Sequence, residues 1–159
     1  MTVDDGVIFL PDTVAGAAIR EEAVYDGIRI TLEGRLGAAK LPLQVDVGFG
    51  DAVTPAPVEA SYPVLLTDMA APRLRVYARE TSIAEKFDAM VTLGIGNSRM
   101  KDFFDIWYLA RTFEFDEATL RAAIRATLAR RQTELPTEAP VALTTAFAGD
   151  PAADAGAPD

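Results

Sequence analysis

Two neighbouring stretches of strict alternation constrain this chain more than any other feature. In YDGIRITLEGRL, residues 25–36, Ile28, Ile30 and Leu32 fall on one side and Arg29, Thr31 and Glu33 on the other. In LPLQVDVGFGD, residues 41–51, Leu41, Leu43, Val45, Val47 and Phe49 share a side, opposite Gln44, Asp46 and Gly48. A side-chain period of two belongs to an extended strand whose faces meet different surroundings. The connection GAAK is long enough for the two strands to pair as a hairpin. Upstream, VIFL predicts a short strand and AGAAIREEA a short helix. Residues 51–73 are broken by prolines and read as an irregular link, with a short strand at PVLL. LRVYARE predicts a further strand.

From about residue 80 the period changes. Ser82 and Glu85 have the spacing of a capping box. Ile83, Phe87, Met90 and Val91 form one apolar stripe, and Gly94 or Gly96 can end that helix. Lys86 lies on the flank of the stripe, while Asp88 and Thr92 take the wet side. A second helix is predicted over about 101–111. Phe103, Phe104, Ile106, Trp107, Tyr108 and Leu109 nearly encircle it, which predicts burial on most sides. A third runs from Asp116 or Glu117 to Arg131, capped by Asp116, with Leu120, Ala123, Ile124, Thr127 and Leu128 inward. AGDPAADAGAPD reads as a disordered acidic tail. The predicted fold class is α+β, with a β-rich part over 1–79, a helical part over 80–148 and the tail at 149–159.

Composition narrows the chemistry. The chain of 159 residues has no cysteine and no histidine, which excludes disulfides, thiolate metal sites, and the commonest general base. A cytoplasmic protein is the easiest reading, and no apolar run reaches transmembrane length. The formal charge of −9 argues against a broadly basic surface. Arginines do gather at Arg73, Arg75 and Arg79, and at Arg121, Arg125, Arg130 and Arg131. These read as solvated faces, with a patch facing phosphate or RNA as the alternative.

The candidates are therefore carboxylates and lysines. Asp46 sits on the polar side of a strand, followed by Gly48 and Gly50. It is either an ordinary surface acid or a ligand for Mg²⁺, which takes few protein oxygens and would need further partners. Asp102 and Asp105 are three apart and share a helix face. Asp102 could accept backbone N–H groups in the first turn. Asp105 is harder to explain as a cap; it could pair with Arg99, Lys101 or Lys86, or orient a catalytic lysine. Lys86 could lay its stem on apolar surface with its amine at the rim, or aim a point charge at triphosphate oxygens. No Walker loop, dinucleotide fingerprint or SxxK, GxSxG or HExxH pattern occurs.

On LPLQVDVGFGD, YPVLL, RVYARETSIAEKFDAMVTLG, NSRMKDFFDIWYLAR and FEFDEATLRAAIRATLARR the chain resembles the AbiEii/AbiGii toxin family of nucleotidyltransferases, over roughly residues 7 to 148. The AEK helix followed by RMKDFFD carries most of the likeness. The resemblance implies a partial polymerase-β-like nucleotidyltransferase sheet with a helical region behind it. It implies transfer of a nucleotide from an NTP with Mg²⁺, to an acceptor such as tRNA in some relatives, and an antitoxin partner. Lys86 matches the family lysine expected near the nucleotide phosphates, and Lys101 and Asp102 match its KD pair, with Asp102 the expected catalytic or site-organising acid. Asp105 is the next acid of that motif, and Asp46 resembles the third carboxylate of the strand site. The family's glycine-rich element and D-x-D strand have no counterpart here, since Asp4 and Asp5 are adjacent and Asp150 and Asp154 lie in the tail. The expectation is the C-terminal half to two-thirds of such a protein, inactive alone. The alternative is a non-catalytic module that pairs with an antitoxin or a missing N-terminal half.

Overall fold

The computed structural model describes residues 5–21, 25–66 and 68–149. The chain divides into two compact units, Met1–Asp51 and Ala52–Asp159. An antiparallel sheet precedes a set of helices, so the predicted α+β class is observed.

The first unit is a three-stranded sheet of β1 (Val7–Glu21), β2 (Tyr25–Leu36) and β3 (Ala39–Gly48), in that order. The predicted hairpin is β2–β3, closed by Gly37 and Ala38, with Gly37 at φ 57° where a side chain would be strained. Its register sets Ile28 against Val47, Ile30 against Val45 and Leu32 against Leu43, so the two oily sides coincide.

The N-terminal stretch departs from expectation. Residues 15–21 are strand and not helix; the remaining residues of AGAAIREEA, 22 and 23, lie outside the described residues. Ala15, Ala17 and Ala18 are good helix formers, but with Gly16 between them their backbone pairs with Thr31 to Ile28 of β2. A shared ladder outweighs intrinsic preferences of a few tenths of a kcal/mol (~0.5) per residue. The ladder shifts between Leu10 and Ala15, at Pro11, which has no N–H to give. There the Thr13 hydroxyl accepts the Glu33 N–H at 2.8 Å.

In the second unit, β4 (Val58–Ser61) pairs with β5 (Arg73–Val76). PVLL is not a strand; it lies in the connection between them, with Leu65 wholly exposed. Next come α1 (Arg79–Leu93), α2 (Met100–Thr112), α3 (Glu117–Arg131) and a single turn α4 (Thr145–Ala148). The capping box is not formed. The helix begins earlier, with Ala78 as the N-cap, and Ser82 lies within the first turn, its Oγ 3.5 Å from the Ala78 carbonyl. Thr81 anchors this turn by donating to the Thr54 carbonyl at 2.8 Å. Gly94 ends α1 at φ 53°, as the sequence predicts. Asp116 caps α3 by accepting the Thr119 N–H at 2.8 Å, and Ala123, Thr127 and Leu128 are its buried face.

Two predictions of burial are reversed. Asp88, expected in water, is buried. The helix expected to be buried on most sides has one fully buried residue, Asp102, while Phe104, Trp107 and Tyr108 are exposed. The cause is the C-terminal segment. Ala142 and Phe147 join Met90 in the core, and Phe147 stacks on Phe103 at 4.9 Å. That layer takes up Met100, Phe103 and Ile106 and leaves the opposite face of α2 uncovered. Residues 150–159, most of the predicted disordered tail and the site of Asp150 and Asp154, lie outside the described residues, as does Asp4.

Candidate functional site

The candidate site forms where α1 meets α2. Lys86 projects from the middle of α1, and Asp102 and Asp105 lie in the first turns of α2, on one face because they are three apart. The Lys86 Nζ is 2.9 Å from Asp102 Oδ1 and 2.8 Å from Asp105 Oδ2. Arg99 Nε stands 2.7 Å from Asp102 Oδ2, an ion pair whose angle does not make a hydrogen bond. Lys101 Nζ is 3.9 Å from Asp105 Oδ2. The cluster thus runs from a buried acid outwards. The side chain of Asp102 is 6% exposed, Lys86 20%, and Lys101 85%.

Burial explains the geometry. An isolated carboxylate in this interior would be expensive, and two cations compensate Asp102. Burial also works against the Lys86 ammonium. The hydrogen bonds to Asp105 and Asp102 and their charges outweigh that, so Lys86 titrates above the ordinary lysine value. Lys86 is therefore a fixed cation at neutral pH and not a general base. An ammonium has three N–H donors, and two carboxylates take two of them. Among the described residues the third has no acceptor. Just before α2, the buried Asn97 accepts the Arg99 N–H at 2.9 Å and fixes the backbone that carries this arginine.

Asp46 lies in the sheet unit. Arg29, its cross-strand neighbour, grips it with Nε to Oδ1 at 2.8 Å and Nη2 to Oδ2 at 2.9 Å, and Gln44 donates to Oδ2 at 3.2 Å. The Arg29 hydrogen bond leads in holding this exposed carboxyl below its usual range. Both oxygens are engaged, so a metal ion there would have to displace Arg29. Among the described residues no group of three or more acids is gathered to hold a metal ion. As arranged, these carboxylates are committed to side-chain cations and do not fit a divalent cation.

One constellation escaped the sequence reading. Arg131, at the end of α3, reaches α1 and pairs through Nη1 with Asp88 Oδ2 at 3.2 Å and through Nη2 with Glu85. The signal was available in the spacing. Glu85 and Asp88 are three apart, like Asp102 and Asp105, and each pair is clasped by a cation from another helix. The other arginines are mostly spent locally: Arg73 pairs with Glu59, Arg121 with Glu117, and Arg79 lies 3.7 Å over the Phe113 ring. A cleft of about 430 Å³ opens between α3 and the following segment, lined by Phe87, Leu120, Ile124, Leu135 and Pro140. It does not include the Lys86 cluster, and its apolar lining offers nothing for phosphate chemistry beyond Arg121 and Arg125 at its edge. Among the described residues no helix is long and apolar enough to cross a membrane.

Comparison with known proteins adds a lineage to this geometry. The family described as nucleotidyl transferase AbiEii toxin, type IV TA system, matches residues 3–156. No curated protein and no solved structure matches the chain.

Proposed function

The chain belongs to the AbiEii nucleotidyl transferase toxin family of type IV toxin–antitoxin systems, and from that premise we propose that it works in nucleotidyl transfer by holding NTP phosphates at Lys86. The observation that carries this reading is the Lys86 ammonium, pinned by Asp102 and Asp105 with one donor left over. In the reaction an acceptor hydroxyl attacks the α-phosphorus and pyrophosphate leaves. Negative charge then grows on the departing phosphates, and a preset point charge lowers that barrier without reorganising. Asp102 and Asp105 act as positioning residues: they keep Lys86 charged and aimed. Lys101 and Arg99 add positive charge on the outer side. A tRNA as acceptor, an antitoxin as partner and a cytoplasmic setting belong to the same reading, and Mg²⁺ enters it only as an ion carried by the NTP, since the described carboxylates do not fit one.

The test is calorimetric titration of the whole chain with NTP, with and without Mg²⁺. Binding in the millimolar range or tighter, lost in Lys86→Met and retained in Arg29→Gln, is the expected result. Absence of heat at millimolar nucleotide in a folded wild-type chain sinks the proposal. Circular dichroism on each variant separates lost binding from lost folding.

A further inference from the structure

We propose that the uncovered face of α2 is a docking surface for single-stranded nucleic acid, with bases stacked on Phe104, Trp107 and Tyr108 and phosphates held by Lys101 and Arg111. Three large aromatic side chains are 58%, 52% and 49% exposed there, in the order Phe104, Trp107, Tyr108. They form a connected platform. The Phe104 ring is 5.7 Å from Trp107 and 6.1 Å from Tyr108, and the second pair is within 20° of parallel. Arg111, one turn beyond Trp107, sets its guanidinium 5.5 Å from that ring. A flat cation beside stacked rings is the arrangement that receives a base and its phosphate together.

The local charge selects the occupant. The chain as a whole carries −9. On the aromatic side of α2, however, stand Arg111, with its guanidinium 5.5 Å from the Trp107 ring, and Lys101, one turn before Phe104 and 85% exposed. Two cations thus border an exposed aromatic face in a strongly acidic protein. A polyanion with π-faces complements this. Stacking tolerates any base, so the surface would choose single strands over duplexes and show little sequence preference. The inference deepens the nucleotidyl-transfer reading, on which it rests for the identity of the strand as acceptor.

Trp107 is the chain's one tryptophan, so its fluorescence reports this face directly. The full chain is titrated with a twelve-nucleotide single-stranded RNA, with no NTP present. Saturable quenching is expected, weakened about tenfold in Tyr108→Ala and in Arg111→Gln and weakened by added salt. Both positions are exposed, so the variants should fold, which circular dichroism checks. No quenching by RNA at tens of micromolar overturns the proposal. So does equal quenching by inorganic polyphosphate, which has charge but no bases. A concentration-dependent shift of Trp107 emission without RNA, together with a dimer in light scattering, would assign the face to a second copy and also overturn it. RNA binding without any NTP binding would remove the phosphate role of Lys86 and leave this surface standing; NTP binding without RNA binding would do the reverse.

Discussion

The two units hold the same kind of ion pair in opposite surroundings. In the sheet, Arg29 grips Asp46 with two hydrogen bonds, yet both side chains are over 40% exposed. In the helices, Lys86 meets Asp102 with one hydrogen bond, and the acid is almost wholly buried. By contact geometry the first pair looks stronger. Burial reverses that ranking, because water competes for every exposed charge and salt screens it, while a buried carboxylate has only its protein partners. The sheet pair is thus a surface clasp across one rung of the hairpin. The helical pair ties α1 to α2 and fixes a cation at the rim.

That contrast can be broken by removing one partner at a time. Arg131→Leu should lower stability by about 3 kcal/mol, since it strands the buried Asp88, and Lys86→Met by about 2 kcal/mol, since Asp102 keeps Arg99 as a partner. Denaturant unfolding measures this, and a loss near zero would mean that Asp88 finds water or another cation, or that Arg99 alone suffices for Asp102. Lys86→Met combined with Asp102→Leu should recover much of that loss, because an apolar pair of similar volume often replaces a buried ion pair without penalty. Recovery of stability without recovery of NTP binding would identify the charges as functional and not structural.

The pH dependence sharpens the same comparison. The folded pKa of Lys86 lies above its unfolded value, so its contribution is whole below about pH 10.5 and is lost as pH rises through the folded value. Alkaline titration of the wild type should therefore show a loss of stability that Lys86→Met lacks. Asp46 and Asp116 have depressed folded values, so their contributions exist above about pH 3.8 and fade as pH falls through the folded value. Both are exposed, and the acid effect should be small. Smallest of all, Asp46→Asn should leave the melting temperature unchanged within error. A clear drop there would mean that the sheet pair is shielded from water after all.

Much of the fold was legible because local pattern and global packing agree. The β2–β3 hairpin follows from alternation alone, and α3 follows from Asp116, its apolar face and its length. Lys86, Asp102 and Asp105 were legible as out-of-place charges, and the structure brings all three together. Other readings failed where a distant segment decided the outcome. Ala15 to Ala18 are strand because β2 offers a ladder. Asp88 is dry because Arg131, 43 residues on, covers it. Ser82 fails as a cap because Thr81 and Thr54 start α1 one turn earlier.

Periodicity, the Asp116 cap and the absence of histidine and cysteine determined the β2–β3 hairpin, the three long helices and which groups could do chemistry. These depend on neighbours a few residues apart, and the linear order contains them. Which side of α2 meets water, and which acid each cation clasps, was decided only when the segment around Phe147 closed over Phe103 and α3 delivered Arg131 to α1. Burial is set by whatever packs on top, and for α1 and α2 that cover comes from distant parts of the chain.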